Sequence, residues 1–126
     1  MTKLVFGNAK EEGANRGGWF FGHFITPEDD PRCTEDLEVK WGVHSSGDSR
    51  TEWAVNHQAA TLSILINGRF CLKFEDREIV LSRDGDYVLW CAGVAHTWVA
   101  EYDCTILTVR WPSKSGDSVG MQQTFH

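Results

Sequence analysis

The stretch "GDYVLWCAGVAHTW", residues 85–98, reads as strand, turn, strand. Asp84-Gly85 marks a turn before the first run, and Cys91, Ala92 and Gly93 mark one after it. The second run opens on His96. Alternation turns Trp98 and Ala100 to the same side of that strand as His96. An imidazole in this place holds a metal, binds a ligand or lines a cavity, depending on what the neighbouring runs bring to the same face.

Upstream, "TLSILINGRFCLKF", residues 61–74, places Asn67-Gly68 between two strand-like runs. Asn-Gly is the favoured pair of a tight type I′ turn, in which both central residues take positive φ. The spacing predicts a β-hairpin. "LEVKWGVH", residues 37–44, alternates, with Leu37, Val39, Trp41 and Val43 on one face and Glu38, Lys40 and His44 on the other. "EIVL" and "TILTVRW" add further short strands, and "WFFGHFI", residues 19–25, reads as a strand with two crowded faces. "TPEDDPRCTED" is a loop by composition. Residues 1–18 read as a polar arm with one short strand at residues 4–6, and residues 113–126 as a loose polar tail. No segment holds a helical period over ten residues. Short, regularly spaced strands without helices predict an all-β domain, a jelly roll or nearly closed barrel over residues 19–112.

The chain has 126 residues. One domain of that size buries roughly two-thirds of its unfolded surface. Six Trp and seven Phe need an interior. The net charge of −6 argues against nucleic acid as a partner. The four cysteines (Cys33, Cys71, Cys91 and Cys104) form no Cys-x-x-Cys pair, which argues against a zinc ribbon. No apolar run approaches the ~20 residues of a membrane span, and the first residues have no long apolar core of a secretory signal. A cytoplasmic protein with reduced thiols and no membrane association is expected. There is no Gly-x-Ser-x-Gly elbow, and "GANRGG" lacks the lysine and context of a phosphate loop.

Over residues 40–111 the chain resembles the cupins. Their second motif is Gly, five residues, Pro, any residue, Gly, two residues, His. Here Gly85, Gly93 and His96 keep the spacing, with Cys91 in place of the proline. Their first motif is His-x-His, three or four residues, Glu, six residues, Gly. Counting back from Gly68 with the shorter spacing puts Thr61 at the glutamate and His57 and Val55 at the histidines. The resemblance implies a double-stranded β-helix whose mouth holds a divalent transition metal (Zn, Fe, Mn or Ni) on three imidazoles and a carboxylate. Only His57 and His96 remain of that set, with His44, His23 or Cys91 as substitute ligands.

The same resemblance places His96 inward. Parity then adds Trp98 and Ala100, and Thr61, Ser63 and Leu65 from the neighbouring run. The expected ligand site is His96, Trp98, Thr61, Ser63, His44 and Trp90, with Lys40, Arg50 and Glu52 at the rim. Arg110, inside a strand, needs a partner if buried. Leu62, Ile64 and Ile66 face outward and need a cover, either "WFFGHFI" or the second subunit of a homodimer. Two functions follow as expectations. The first is a module, sensor or accessory protein that binds a small organic ligand. The alternative is a metal-dependent dioxygenase or isomerase using His57 and His96. A domain serving only to dimerise is a third.

Overall fold

A computed structural model describes residues 4–120 of the chain. Among these residues it forms two five-stranded antiparallel sheets facing one another. The strands are β1 (Trp19–Phe21), β2 (Glu38–His44), β3 (Ser49–Asn56), β4 (Ala60–Asn67), β5 (Phe70–Phe74), β6 (Glu78–Leu81), β7 (Tyr87–Trp90), β8 (His96–Val99), β9 (Cys104–Trp111) and β10 (Ser118–Gly120). One sheet has the order β1-β2-β9-β4-β7, the other β10-β3-β8-β5-β6. Each successive crossing from one sheet to the other wraps the chain around a common interior, which is the jelly-roll arrangement.

Alternation sorts the side chains as expected. On β4, Thr61, Ser63 and Leu65 are buried while Leu62, Ile64 and Ile66 are only partly covered. Leu65, Phe70, Leu72, Leu81, Ala100 and Ile106 fill one end of the interior as a continuous apolar cluster. Burying each large side chain of this kind contributes about 1.5–3 kcal/mol. On β2 the sense is the reverse of an ordinary amphipathic strand. Glu38, Lys40, Gly42 and His44 face inward, and Val43 is half exposed. The polar face of that strand lines the barrel, a sign that the interior is built for something other than hydrocarbon.

Four expectations are corrected. Asn67-Gly68 does not close a hairpin, because β4 and β5 lie in different sheets. Gly68 has φ +93° but Asn67 does not have a positive φ, so a type I′ turn is excluded. The pair instead carries the chain from one sheet to the other. A Cβ at Gly68 would overlap the Asp103 carbonyl and Cys104, so the glycine is there for close approach.

Residues 4–6 form no strand; a short helix, α1 (Ala9–Gly13), follows them. The Asn8 side chain accepts the Glu11 N–H at 3.1 Å and caps it. "WFFGHFI" is a strand only over Trp19–Phe21. It pairs edgewise with β2, so it extends the sheet and does not cover the stripe on β4. Finally, residues 113–120 are not a loose tail. Ser113 is fully buried and β10 pairs with β3. Asp117 accepts the backbone N–H groups of Gln58 (2.7 Å) and Ala59 (3.1 Å) and an Asn56 amide proton (3.2 Å). Residues 1–3 of the expected arm and 121–126 of the expected tail lie outside the described residues. No helix among the described residues is long and apolar enough to cross a membrane.

Candidate functional site

The barrel encloses a small chamber of about 50 Å³ at the polar end of its interior. All six residues expected to face a ligand line it: His44, Thr61, Ser63, Trp90, His96 and Trp98. They come from β2, β4, β7 and β8, so no short segment of sequence contains the site. Lys40, Arg50 and Arg110 complete the wall, and Trp19 closes one side. Glu52 is exposed and takes no part in this wall.

A second, open chamber of about 370 Å³ adjoins the first and shares Trp19 and Arg110 with it. That volume falls in the range of small-molecule sites. Trp19 is the partition between the two. The Arg110 guanidinium lies 4.6 Å from its ring centroid and the Lys40 ammonium 5.8 Å away.

Aromatic rings set the shape of the inner chamber. His44 packs 4.4 Å from Trp98 and 5.2 Å from Phe70, measured between centroids. His96 lies 4.8 Å from Trp90, which in turn meets the edge of Phe74. His96 Nδ1 is 3.0 Å from the Val94 carbonyl oxygen, which can only accept, so Nδ1 carries the proton. Nε2 keeps its lone pair. Burial, together with Arg50 and Arg110 nearby, lowers the His96 pKa to about 4, against the Val94 hydrogen bond that raises it. Burial and the neighbouring Lys40 lower the pKa of His44 as well. Burial, then Arg110 and Arg50, bring Lys40 down to about 8.

The cations are unevenly partnered. Arg110 donates to Glu38 Oε2 at 3.2 Å, while Glu38 Oε1 accepts the buried Ser113 hydroxyl at 2.7 Å. That ion pair is the partner the buried guanidinium needs. Ser113 Oγ also lies 2.7 Å from His23 Nδ1, which fixes His23 at the outer chamber rather than the inner one. Among the described residues Arg50 donates only to the His96 carbonyl, at 3.2 Å, with Glu52 acting on it through space, and Lys40 has no ion pair. Four atoms on or beside this wall are buried without a hydrogen-bond partner: Arg50 Nε, Arg110 Nε, Thr61 Oγ1 and Trp90 Nε1.

His57 is not brought to His96. It is exposed and lies just past the end of β3, its N–H bonded to the Asp117 carbonyl at 3.1 Å. The reason is the face that β3 turns inward, which carries the even-numbered Arg50, Ala54 and Asn56; the strand also holds a bulge. Arg50 pairs with Trp98 and Ala54 with His96, so four steps on β3 oppose two on β8. The Thr97 hydroxyl donates across the bulge to the Arg50 carbonyl. Beyond it, Ala54 and Asn56 are buried while Val55 and His57 are not. The longer of the two motif spacings is therefore the one the fold uses. It sets Ala54, Asn56 and Thr61 at the first-motif positions and leaves His96 as the sole imidazole at a motif position. Cys91 is exposed in its loop.

The wall does not fit a divalent metal. Its donors are two imidazoles, no carboxylate, and three cationic side chains that repel a metal ion. Among the described residues no three His, Cys, Asp or Glu side chains cluster to hold one. The bulge is a feature that sequence periodicity missed, since a two-residue slip in one strand leaves the alternation unchanged.

No protein-family model and no curated protein matches the chain. Solved structures do. A double-stranded β-helix protein from Klebsiella pneumoniae superposes with a TM-score of 0.61 at 17% identity, over 69% of this chain and 76% of that one. KdgF from Halomonas sp. gives 0.56 at 23% identity, over 65% and 74%. A cupin-2 domain protein from Shewanella frigidimarina gives 0.53 at 21% identity, over 60% and 71%. At these identities the likeness is one of fold, and it agrees with the two wrapped sheets and the glycine and histidine spacing of residues 85–96. The chain has the double-stranded β-helix fold of the cupin superfamily.

Proposed function

We propose that this protein binds a small organic molecule in its barrel and acts as a sensor or accessory protein. The observation that carries the reading is the pair Thr61 and Trp90. They are direct partners across β4 and β7, 1% and 8% exposed, and both present an unpartnered polar atom beside the inner chamber. A buried polar atom without a partner costs about 1–3 kcal/mol. A bound molecule supplies the missing acceptor and donor. The adjoining larger chamber offers room for its remaining bulk.

A second reading, a metal-dependent enzyme of dioxygenase or isomerase type, is favoured by one detail. The Val94 carbonyl holds His96 in the tautomer whose Nε2 is free to bind a metal. Elemental analysis of protein purified without added metal, with heat-stability screening against a metabolite library, separates the two. Metal-free protein stabilised by a metabolite, and less so after Trp90→Phe, supports the binding module. About one equivalent of metal per chain, lost in His96→Ala, supports the enzyme.

The proposal extends to assembly and place. Leu62 is flanked on the outer face by Leu89 and Val109, and Ile64 by Tyr87 and Leu107. Tyr87 and Leu89 are exposed. A homodimer across this sheet covers that face. All four cysteines are free, which suits a reducing cytoplasm.

A further inference from the structure

We propose that the inner chamber is an oxyanion site, taking the carboxylate or phosphate of a small organic acid between Lys40, Arg50 and Arg110. The inference rests on the small-molecule reading above and names the chemical class of the ligand.

The chain as a whole carries net charge −6, yet this small chamber inside the barrel gathers three cations. Glu38 is already committed on both oxygens, to Arg110 and to Ser113, while Glu52 acts on Arg50 and Asp117 on Arg110 only through space, without an ion pair among the described residues. Lys40 is thus left in a chamber walled by tryptophan and free of carboxylates, and Arg50 has only the exposed Glu52, which lies outside that wall. Burying charge without a partner is costly, and like charges add to the cost. A fold retains such an arrangement when a bound anion relieves it.

The orphaned donors point the same way. Arg50 Nε and Arg110 Nε have no acceptor, and neither does Trp90 Nε1. Three unused N–H groups on different strands match the several lone pairs of an oxyanion. A neutral sugar leaves the charges unmet, and a metal cation raises the repulsion. The volume agrees too. About 50 Å³ holds a carboxylate-sized head but not a whole metabolite, whereas the 370 Å³ chamber behind Trp19 takes the rest. Arg110, shared by both, sits where head and body join.

The test uses the full chain at pH 7 and constant ionic strength, with thermal shift and titration calorimetry. Lactate is compared with neutral lactamide, and glycerol 3-phosphate and inorganic phosphate with glycerol, all against sodium chloride. The expected result is a saturable stabilisation by lactate, by the phosphates, or by both, absent with lactamide, glycerol and chloride. The carboxylate and phosphate arms identify the head group. In Lys40→Met and Arg50→Met the apo protein is expected to melt at the same or a higher temperature, because an uncompensated cation is gone. Anion affinity is expected to fall at least tenfold in each. A purely structural cation gives the opposite pattern, a lower apo melting temperature with unchanged anion response.

Anion stabilisation no greater than that by chloride, or anion affinity intact in the double variant, overturns the inference. If neutral metabolites bind in a Trp90-dependent way while anions do not, the small-molecule reading stands and the oxyanion site falls. If no compound of either class binds, both fall.

Discussion

His96 owes its chemistry to two neighbours of opposite effect. The Val94 carbonyl fixes which nitrogen is protonated, and burial beside Arg50 and Arg110 keeps the ring neutral. Lys40 lines the same chamber and adds to the positive surroundings, His44 beside it is itself disfavoured as a cation by burial and by Lys40, and Glu38 is spent on Arg110. With a folded pKa of about 4 against about 6.5 unfolded, the unfolded chain binds more protons between those values. Stability therefore rises with pH from about 4 to 6.5 and is lost as the solution is acidified through that window. The expected contribution is on the order of 3 kcal/mol. Urea midpoints for wild type and His96→Gln at pH 4.5 and 7 check it, and a variant as pH-sensitive as wild type refutes it. At Thr61, replacement of the orphaned hydroxyl by a methyl is expected to leave apo stability unchanged or raised by about 1 kcal/mol while weakening ligand binding. Chemical denaturation of Thr61→Val reads the first, and heat stabilisation by any ligand found reads the second.

Elements decide what individual residues cannot. Asn67-Gly68 has the composition of a hairpin turn, but β4 finds its partners in β7 and β9, and β5 in β6 and β8. Tertiary pairing overrides a local preference of a few tenths to one kcal/mol because each ladder contributes many hydrogen bonds and a buried face. At Gly68 the positive φ and the close Asp103 carbonyl make Gly68→Ala costly, by about 2 kcal/mol or more in a denaturation experiment. The segment after Pro112 looked loose because it is polar and glycine-containing. Its polarity is used, since Asp117 caps the β3–β4 connection. Burial raises the Asp117 carboxyl pKa, but the hydrogen bonds from Asn56, Gln58 and Ala59 outweigh this and lower it overall. Its contribution is present above the unfolded value near 4 and disappears as pH falls through the lower folded value. Asp117→Ala is expected to cost about 2 kcal/mol at pH 7 and to flatten stability below pH 4, both read from denaturant melts.

At the scale of the molecule, one sheet shows the solvent an apolar face running from Tyr87 and Leu89 through Leu62 and Ile64 to Val109 and Leu107. Light scattering coupled to size exclusion is expected to give twice the chain mass. The double substitution Tyr87→Glu with Leu89→Glu is expected to halve it without altering tryptophan fluorescence from the barrel. A wild-type monomer at micromolar concentration disproves the dimer.

Alternation of apolar and polar residues, interrupted by glycine turns, was sufficient to determine strands and an all-β fold; the inward set His44, Thr61, Ser63, Trp90, His96 and Trp98 also needed the cupin-like spacing of residues 85–96, which implied that His96 faces in. A period of two that any strand must obey fixes which residues share a face, but not which face turns inward. Tertiary structure alone decided the rest. The pairing of β3 with β8 and β10 turned its even-numbered face, Arg50, Ala54 and Asn56, inward and left His57 out. Edgewise pairing, not covering, was the fate of Trp19–Phe21, which put Trp19 between the chambers. Charge balance inside the barrel emerged only when Lys40, Arg50 and Arg110, far apart in the chain, met in one wall without a carboxylate, because electrostatic energy depends on distance in space and not on position in sequence.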